Sequence, residues 1–196
     1  MIVTADEVTR SLRGTLDLLN RRVEGLSAFD LSERGFWRSF SVIWLTLPAY
    51  VVSLAFERLR LGMMQPDRAL LDNVGLNVLV AVCHVASFVA LPIAMIWLTR
   101  ALRLTDRYVP FVIVTNWVTV AGQLVLSVPA ILLLVGWAPP GLATLFTLAF
   151  AVIVLRLQWF ATKVTLNVTS GLASAIVVLG ILLNFVIAGL IRGAMG

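Results

Sequence analysis

Four stretches of this chain contain no Asp, Glu, Lys or Arg: 39–56, 73–99, 108–155 and 164–191, of 18, 27, 48 and 28 residues. An α-helix rises about 1.5 Å per residue, so about 20 consecutive apolar residues cross a hydrocarbon core about 30 Å thick. The 48-residue run is long enough for two crossings, and Gly136-Trp-Ala-Pro-Pro-Gly141 near its middle is a strong turn signal. Five spans follow, at about 37–56, 74–99, 108–135, 141–161 and 166–191. The alternating polarity of β-barrel strands is absent. Composition agrees: 60% of the residues are hydrophobic, beyond what a water-soluble domain of this length can bury. The expected fold class is all-α, a polytopic membrane bundle of five transmembrane helices behind an N-terminal amphipathic interfacial helix. Residues 1–35 form the N-terminal segment and 36–196 the membrane domain.

The few charges encode orientation. With the N-terminus inside, the inner segments hold eleven basic residues: Arg10, Arg13, Arg21, Arg22, Arg34, Arg38, Arg100, Arg103, Arg107, Arg156 and Lys163. The outer segments hold four: Arg58, Arg60, Arg68 and Arg192. The positive-inside rule then places the N-terminus in the cytoplasm and the C-terminus outside, in a bacterial inner membrane. Trp37, Trp97, Trp159 and Tyr108 lie near the inner ends and Trp137 in an outer turn, as aromatic belts require. The net charge of +5 is accounted for by this asymmetry and does not point to nucleic acid. The opening residues lack the basic and apolar regions of a cleavable signal peptide.

Ahead of the first span, Thr4-Ala-Asp-Glu7 reads as a capping box, in which hydroxyl and carboxylate satisfy orphan backbone donors. Val8, Leu12, Leu16, Leu19, Val23 and Leu26 recur at three- and four-residue steps and predict an apolar stripe lying on the membrane or folded under the bundle. Asp30-Leu-Ser-Glu33 reads as a second capping box that starts the helix of span one. Pro48, Pro92 and Pro129 fall inside spans, where each removes a backbone donor and predicts a kink.

No Asp or Glu lies inside a span, which argues against proton-coupled pumping and acid–base catalysis within the membrane. One cysteine, Cys83, excludes a disulfide framework, and one histidine, His84, leaves no cluster for a metal. What remains is amide, hydroxyl and imidazole chemistry. The candidate intramembrane polar cluster is Asn77 and His84 in span two, Asn116 and Gln123 in span three, and Ser174 and Asn184 in span five. His84 lies 16 residues from Arg100 and Gln123 16 from Arg107, about 24 Å of helix in each case, so the two are expected to meet at one depth. Such groups act as interhelical glue, line a pathway or pocket, or, for His84, ligate a haem-like centre. Arg156 snorkels to the headgroups or contacts an anionic lipid or ligand.

The stretches F-D-L-S-E-R-G-F-W-R-S-F at 29–40 and R-Y-V-P-F-V-I-V-T-N-W at 107–117 resemble those of small uncharacterised bacterial five-span proteins. The layout is similar to that of the Yip family: an amphipathic cytoplasmic N-terminus, five spans and an outward C-terminus. That resemblance implies a non-enzymatic membrane protein acting through interaction. The acidic first-span motif with its Gly-Pro is absent here, so the family's trafficking role is not carried over. The sequence therefore predicts a non-catalytic protein without a cofactor, packing against lipids, a membrane-protein partner or copies of itself. The alternative is a small transporter or channel component using the polar faces of spans two, three and five.

Overall fold

The computed structural model describes residues 3–64 and 74–195, and every regular element among them is helical. The α-helices are α1 (Ala5–Leu19), α2 (Glu33–Ser41), α3 (Leu47–Met64), α4 (Val74–Ala101), α5 (Tyr108–Leu134), α6 (Pro140–Leu166) and α7 (Ser170–Met195). Short 3₁₀ segments at Val23–Ala28, Val42–Thr46 and Thr105–Arg107 join some of them. Five stretches are long and apolar enough to cross a membrane: Glu33–Phe56, Ala81–Ala101, Thr105–Leu134, Pro140–Leu166 and Ser170–Leu190. The protein is a multi-pass helical membrane bundle.

The helix ends show why the chain breaks where it does. At the end of α5, Gly136 takes φ +76°. Its N–H donates to the Leu133 carbonyl and that of Trp137 to Leu132, which closes a Schellman motif. Pro139 and Pro140 then start α6, so the turn expected at 136–141 is the loop between spans three and four. Arg21 and Arg103 fill the same left-handed position after α1 and α4, at φ 60° and 57°. They make the same pair of bonds, Arg21 to Leu18 with Arg22 to Asp17, and Arg103 to Arg100 with Leu104 to Thr99.

Span one is segmented. Helix α2 gives way at Val42–Thr46 to a 3₁₀ stretch, and α3 restarts at Leu47 just before Pro48. Pro48 has no N–H for the Trp44 carbonyl, and the tighter 3₁₀ turn is one way of accommodating that loss. Pro92 and Pro129 sit inside continuous α4 and α5.

Helix α5 is the hub. Four consecutive residues, Phe111 to Val114, are buried, as are Asn116, Trp117 and Val118, so neighbours surround it on every side. Its most extensive partner is α6, and α1, α2, α3 and α4 also touch it. Lipid tails are as apolar as these side chains, so close packing and interhelical hydrogen bonds hold the bundle, rather than expulsion of water.

Helix α1 folds onto α5 and α6. A Cβ on Gly25 would stand 2.6 Å from the Gly14 carbonyl oxygen, so the backbone of Val23–Ala28 lies directly on α1. The expected stripe is divided: Val8, Leu19 and Leu26 are half-buried and pack against the core, while other members lie outside. Glu7, Ser11, Gly14, Thr15 and Leu18 point inward, while Leu16 is 58% exposed and Val23 is exposed too. Thr4 does cap α1, its hydroxyl accepting from the Glu7 N–H at 3.3 Å. Glu7, however, does not complete the capping box: its carboxylate accepts from the Arg38 guanidinium of α2. The second capping box is shifted as well. Ser32, not Asp30, is the N-cap of α2 and accepts from the Gly35 N–H at 3.1 Å, while Asp30 accepts from the Ser32 N–H at 3.2 Å. The Asp30 carboxylate also lies 3.7 Å from Arg38. The Ser32 hydroxyl and amide, then the charges of Arg38 and Arg10, hold the Asp30 carboxyl below its usual range against the opposing effect of burial.

Candidate functional site: a polar cleft among four helices

The polar side chains of the spans divide into those that find partners and those that do not. Most hydroxyls fold back onto their own helix. Thr15, Thr99, Thr147, Thr165 and Ser174 each donate to the carbonyl four residues earlier at 2.6–3.0 Å. These are local arrangements that remove a donor from hydrocarbon.

Others cross between helices: the Tyr108 hydroxyl of α5 donates to the Pro92 carbonyl of α4 at 3.2 Å, Trp159 and Lys163 of α6 donate to Ser170 of α7 at 3.3 and 3.0 Å, and two further pairs involve sequence-expected residues. Asn116 of α5 donates to the Ser39 hydroxyl of α2 at 2.9 Å, and both residues are buried. His84 of α4 lies with Nε2 2.8 Å from the Thr46 hydroxyl, and its ring is 5.1 Å from that of Tyr50. The Thr46 hydroxyl also lies 2.6 Å from the Ile43 carbonyl, so it is shared between its own backbone and the imidazole. No hydrogen bond joins His84 to Gln123 among the described residues; His84 is tied to span one instead. Depth along the helix leaves rotation about its axis open, and His84 is turned toward Thr46.

Several unpartnered groups meet in one place, apart from the buried Ser11 Oγ and Arg38 Nε beneath α1. A cleft of about 580 Å³ lies between α4, α5, α6 and α7. Its lining includes Ser87 from α4, Thr115, Thr119 and Gln123 from α5, Gln158 and Thr162 from α6, and Asn184 from α7. Asn184 donates one amide proton to the Gly180 carbonyl at 2.9 Å. The side chains of Ser87, Thr115, Thr119, Gln123, Gln158 and Thr162 make no hydrogen bond among the described residues, and the Gln123 Oε1 atom is buried without a partner. An unsatisfied buried acceptor costs about 1–3 kcal/mol, and hydrocarbon supplies no compensating donor.

Local sequence explains the convergence. Thr115, Thr119 and Gln123 follow at four-residue steps along one face of α5, and Gln158 and Thr162 do the same on α6. Along this face Gly122 lets α6 approach: a Cβ there would stand 2.9 Å from Val154 Cγ1. On the opposite wall Gly180 packs near Leu91, a Cβ reaching it at 3.4 Å. Phe185, 71% exposed, stands at the rim, so the cleft faces the surroundings of the bundle sideways. Counted from the helix ends that carry α1, Thr162 is about 6 Å deep, Thr115 and Gln158 about 10–12 Å, and Ser87, Gln123 and Asn184 about 21–22 Å. The polar groups thus form a ladder from near one surface to beyond mid-span. No ionisable side chain is among its lining residues. The arrangement suits an uncharged guest that both donates and accepts hydrogen bonds.

The remaining candidates lie elsewhere. Asn77 belongs to α4, but its side chain falls outside the described residues. Ser174 is exposed and bonded to its own helix. Arg156 is exposed on α6. Sequence reasoning missed Gln158; its four-residue step to Thr162 was the available signal. Among the described residues no group of His, Cys, Asp and Glu is placed to hold a metal ion. Compared with protein-family models, curated proteins and solved structures, the chain matches none.

Proposed function

We propose that this is a non-catalytic integral protein of a bacterial inner membrane, with its N-terminus in the cytoplasm, that takes an uncharged hydrogen-bonding molecule from the membrane into the cleft. The orientation rests on the eleven-to-four division of basic residues. The observation that carries the binding role is the gathering around one cleft of six polar side chains, Ser87, Thr115, Thr119, Gln123, Gln158 and Thr162, without side-chain hydrogen bonds among the described residues. Polar groups used only as glue bond to one another or to their own helix, as Asn116 and Thr165 do. This reading develops the transporter or channel alternative. The ladder stops short of the far surface, so it supports holding a guest more directly than conducting one.

The test is extraction in nanodiscs followed by mass spectrometry of small molecules released from the protein. An uncharged polar compound should accompany the wild type and be lost from the double variant Gln123→Leu/Gln158→Leu. Equal recovery from both proteins, or none from either, would refute the proposal.

The accessory reading is supported by a separate surface. Leu16 and Val23 stand exposed on α1 and its following turn, next to the basic N-terminal segment. They would lie on the inner leaflet or against a membrane-protein partner, with exposed Arg156 available to anionic headgroups.

A further inference from the structure

A second cavity, of about 530 Å³, lies between α3, α5 and α6. Its lining is mostly apolar and includes Pro129, Ala130 and Leu133 of α5 and Pro140 of α6. Leu126 lines both cavities. The positions that α5 presents to the two, 115, 118, 119, 122, 123, 126, 129, 130 and 133, recur at three- and four-residue steps and share one broad face of the helix. Those of α6, from 140, 144 and 147 to 151, 155, 158 and 162, share one face as well. The two cavities therefore follow one another along the α5–α6 pair and meet at Leu126, one closed by α3 and the other by α4 and α7. From Thr115 to Leu133 they run 18 residues, about 27 Å, close to the thickness of the hydrocarbon core.

Both cavities are mostly apolar, but the three amides, Gln123, Gln158 and Asn184, all line the first, whereas the polar groups of the second are the hydroxyls of Ser53, Thr144 and Thr147, the last two bonded to their own helix; Leu126 lies at the junction. We infer that the guest is a single lipid with an uncharged hydroxyl-bearing head, of the acylglycerol class, its head in the amide-lined cavity and its chain along Ala130 and Leu133. The inference rests on the binding role proposed above and adds the chain to it. A small solute would use only the amide-lined cavity. An ionised headgroup would meet no counter-charge among the lining residues and would lose its hydration at a cost of several kcal/mol. A hydroxyl gives Gln123 Oε1 the donor it lacks once the amide turns about its terminal torsion toward the cleft, a broad and soft rotation. The half-open sides of the two cavities let a lipid slide in laterally without leaving the bilayer.

The test is thermal unfolding of the full chain in detergent with four probes at equal molarity: dioleoylglycerol, dihexanoylglycerol, free glycerol and phosphatidylglycerol. Dioleoylglycerol should raise the melting temperature by several degrees, dihexanoylglycerol by less, and the other two not at all. Gln123→Leu/Gln158→Leu should abolish the dioleoylglycerol shift. Ala130→Trp, which fills the second cavity, should reduce it to the short-chain value. If Ala130→Trp misfolds, the chain-length comparison on the wild type decides alone. Equal shifts from both acylglycerols, sensitive to the glutamine pair, would overturn the chain assignment and leave the cleft reading standing. A larger shift from phosphatidylglycerol would overturn the uncharged head. No shift from any probe would overturn the lipid assignment, while the co-purification test above still decides the cleft.

Discussion

Removing one partner of the Glu7–Arg38 pair should loosen α1 by an amount that depends on which partner is removed. The Glu7 side chain is 5% exposed and that of Arg38 19%. Taking away the cation leaves Glu7 buried with no counter-charge, an event that costs about 3–5 kcal/mol. Taking away the carboxylate is milder, because Arg38 keeps Asp30 at 3.7 Å and some contact with solvent. Its Nε–H is already without a partner, so the guanidinium gives up only part of its bonding. Loss of a charged hydrogen bond of that kind costs about 1.5–3 kcal/mol. Arg38→Met should therefore exceed Glu7→Gln by about 2 kcal/mol, roughly 30-fold in the opening equilibrium of α1. Hydrogen–deuterium exchange of the α1 amides between Ser11 and Leu18, in nanodiscs, reads that equilibrium directly. The double variant Glu7→Leu/Arg38→Leu should exchange more slowly than Arg38→Met, because no orphaned charge remains. Equal effects of the two single variants, or a double variant that exchanges as fast as their combined effects predict, would refute the reasoning.

Three further outcomes follow from the same geometry. The Asp30 carboxyl is held below its ordinary range in the folded state, so its contribution is complete at neutral pH and is lost as pH falls through the folded value; the protection of the α1 amides, relative to the unstructured exchange rate at each pH, should fall as pH drops below the ordinary carboxyl range, and Asp30→Asn should flatten that part of the profile. Arg103→Gly should raise the melting temperature, since a non-glycine residue in the left-handed region costs roughly 1 kcal/mol; an unchanged or lower value would show that the Arg103 side chain outweighs its backbone strain. Leu18→Ala should destabilise the protein by about 2–5 kcal/mol, whereas Leu16→Asp should leave its melting unchanged and weaken only association with the membrane surface or a partner; the reverse order would restore the apolar stripe as the docking face.

The spans were legible because charge is so costly in hydrocarbon that its absence over 18 or more residues leaves little choice. The break after Leu134 was legible because Gly136 and the two prolines act locally. The docking face of α1 was not. In water an apolar stripe marks the inward face, but here the neighbouring medium is also apolar. Leu16 is then as well placed outside as in, and the ion pair with Arg38 decides which way Glu7, Ser11 and Thr15 turn. Pairing in the cleft failed for a geometric reason: residue counts from the charged anchors fixed the depth of His84 and Gln123 but not the rotation of their helices. Gln158 is marked in the sequence only by its four-residue step to Thr162, a weak signal for a single amide.

The polar face that α1 buries also bears on how the protein is made. Residues 5–19 leave the ribosome long before α5 and α6, the helices on which they come to rest. During that interval Glu7, Ser11 and Thr15 are at ease in water, and the Gly14–Gly25 contact can already fold the segment into a compact hook. A wholly apolar docking face would meanwhile sink into the membrane surface or be captured by chaperones. The docked position of α1 thus exists only once the third and fourth spans are in place, and the helix acts as a clasp that closes over spans made after it.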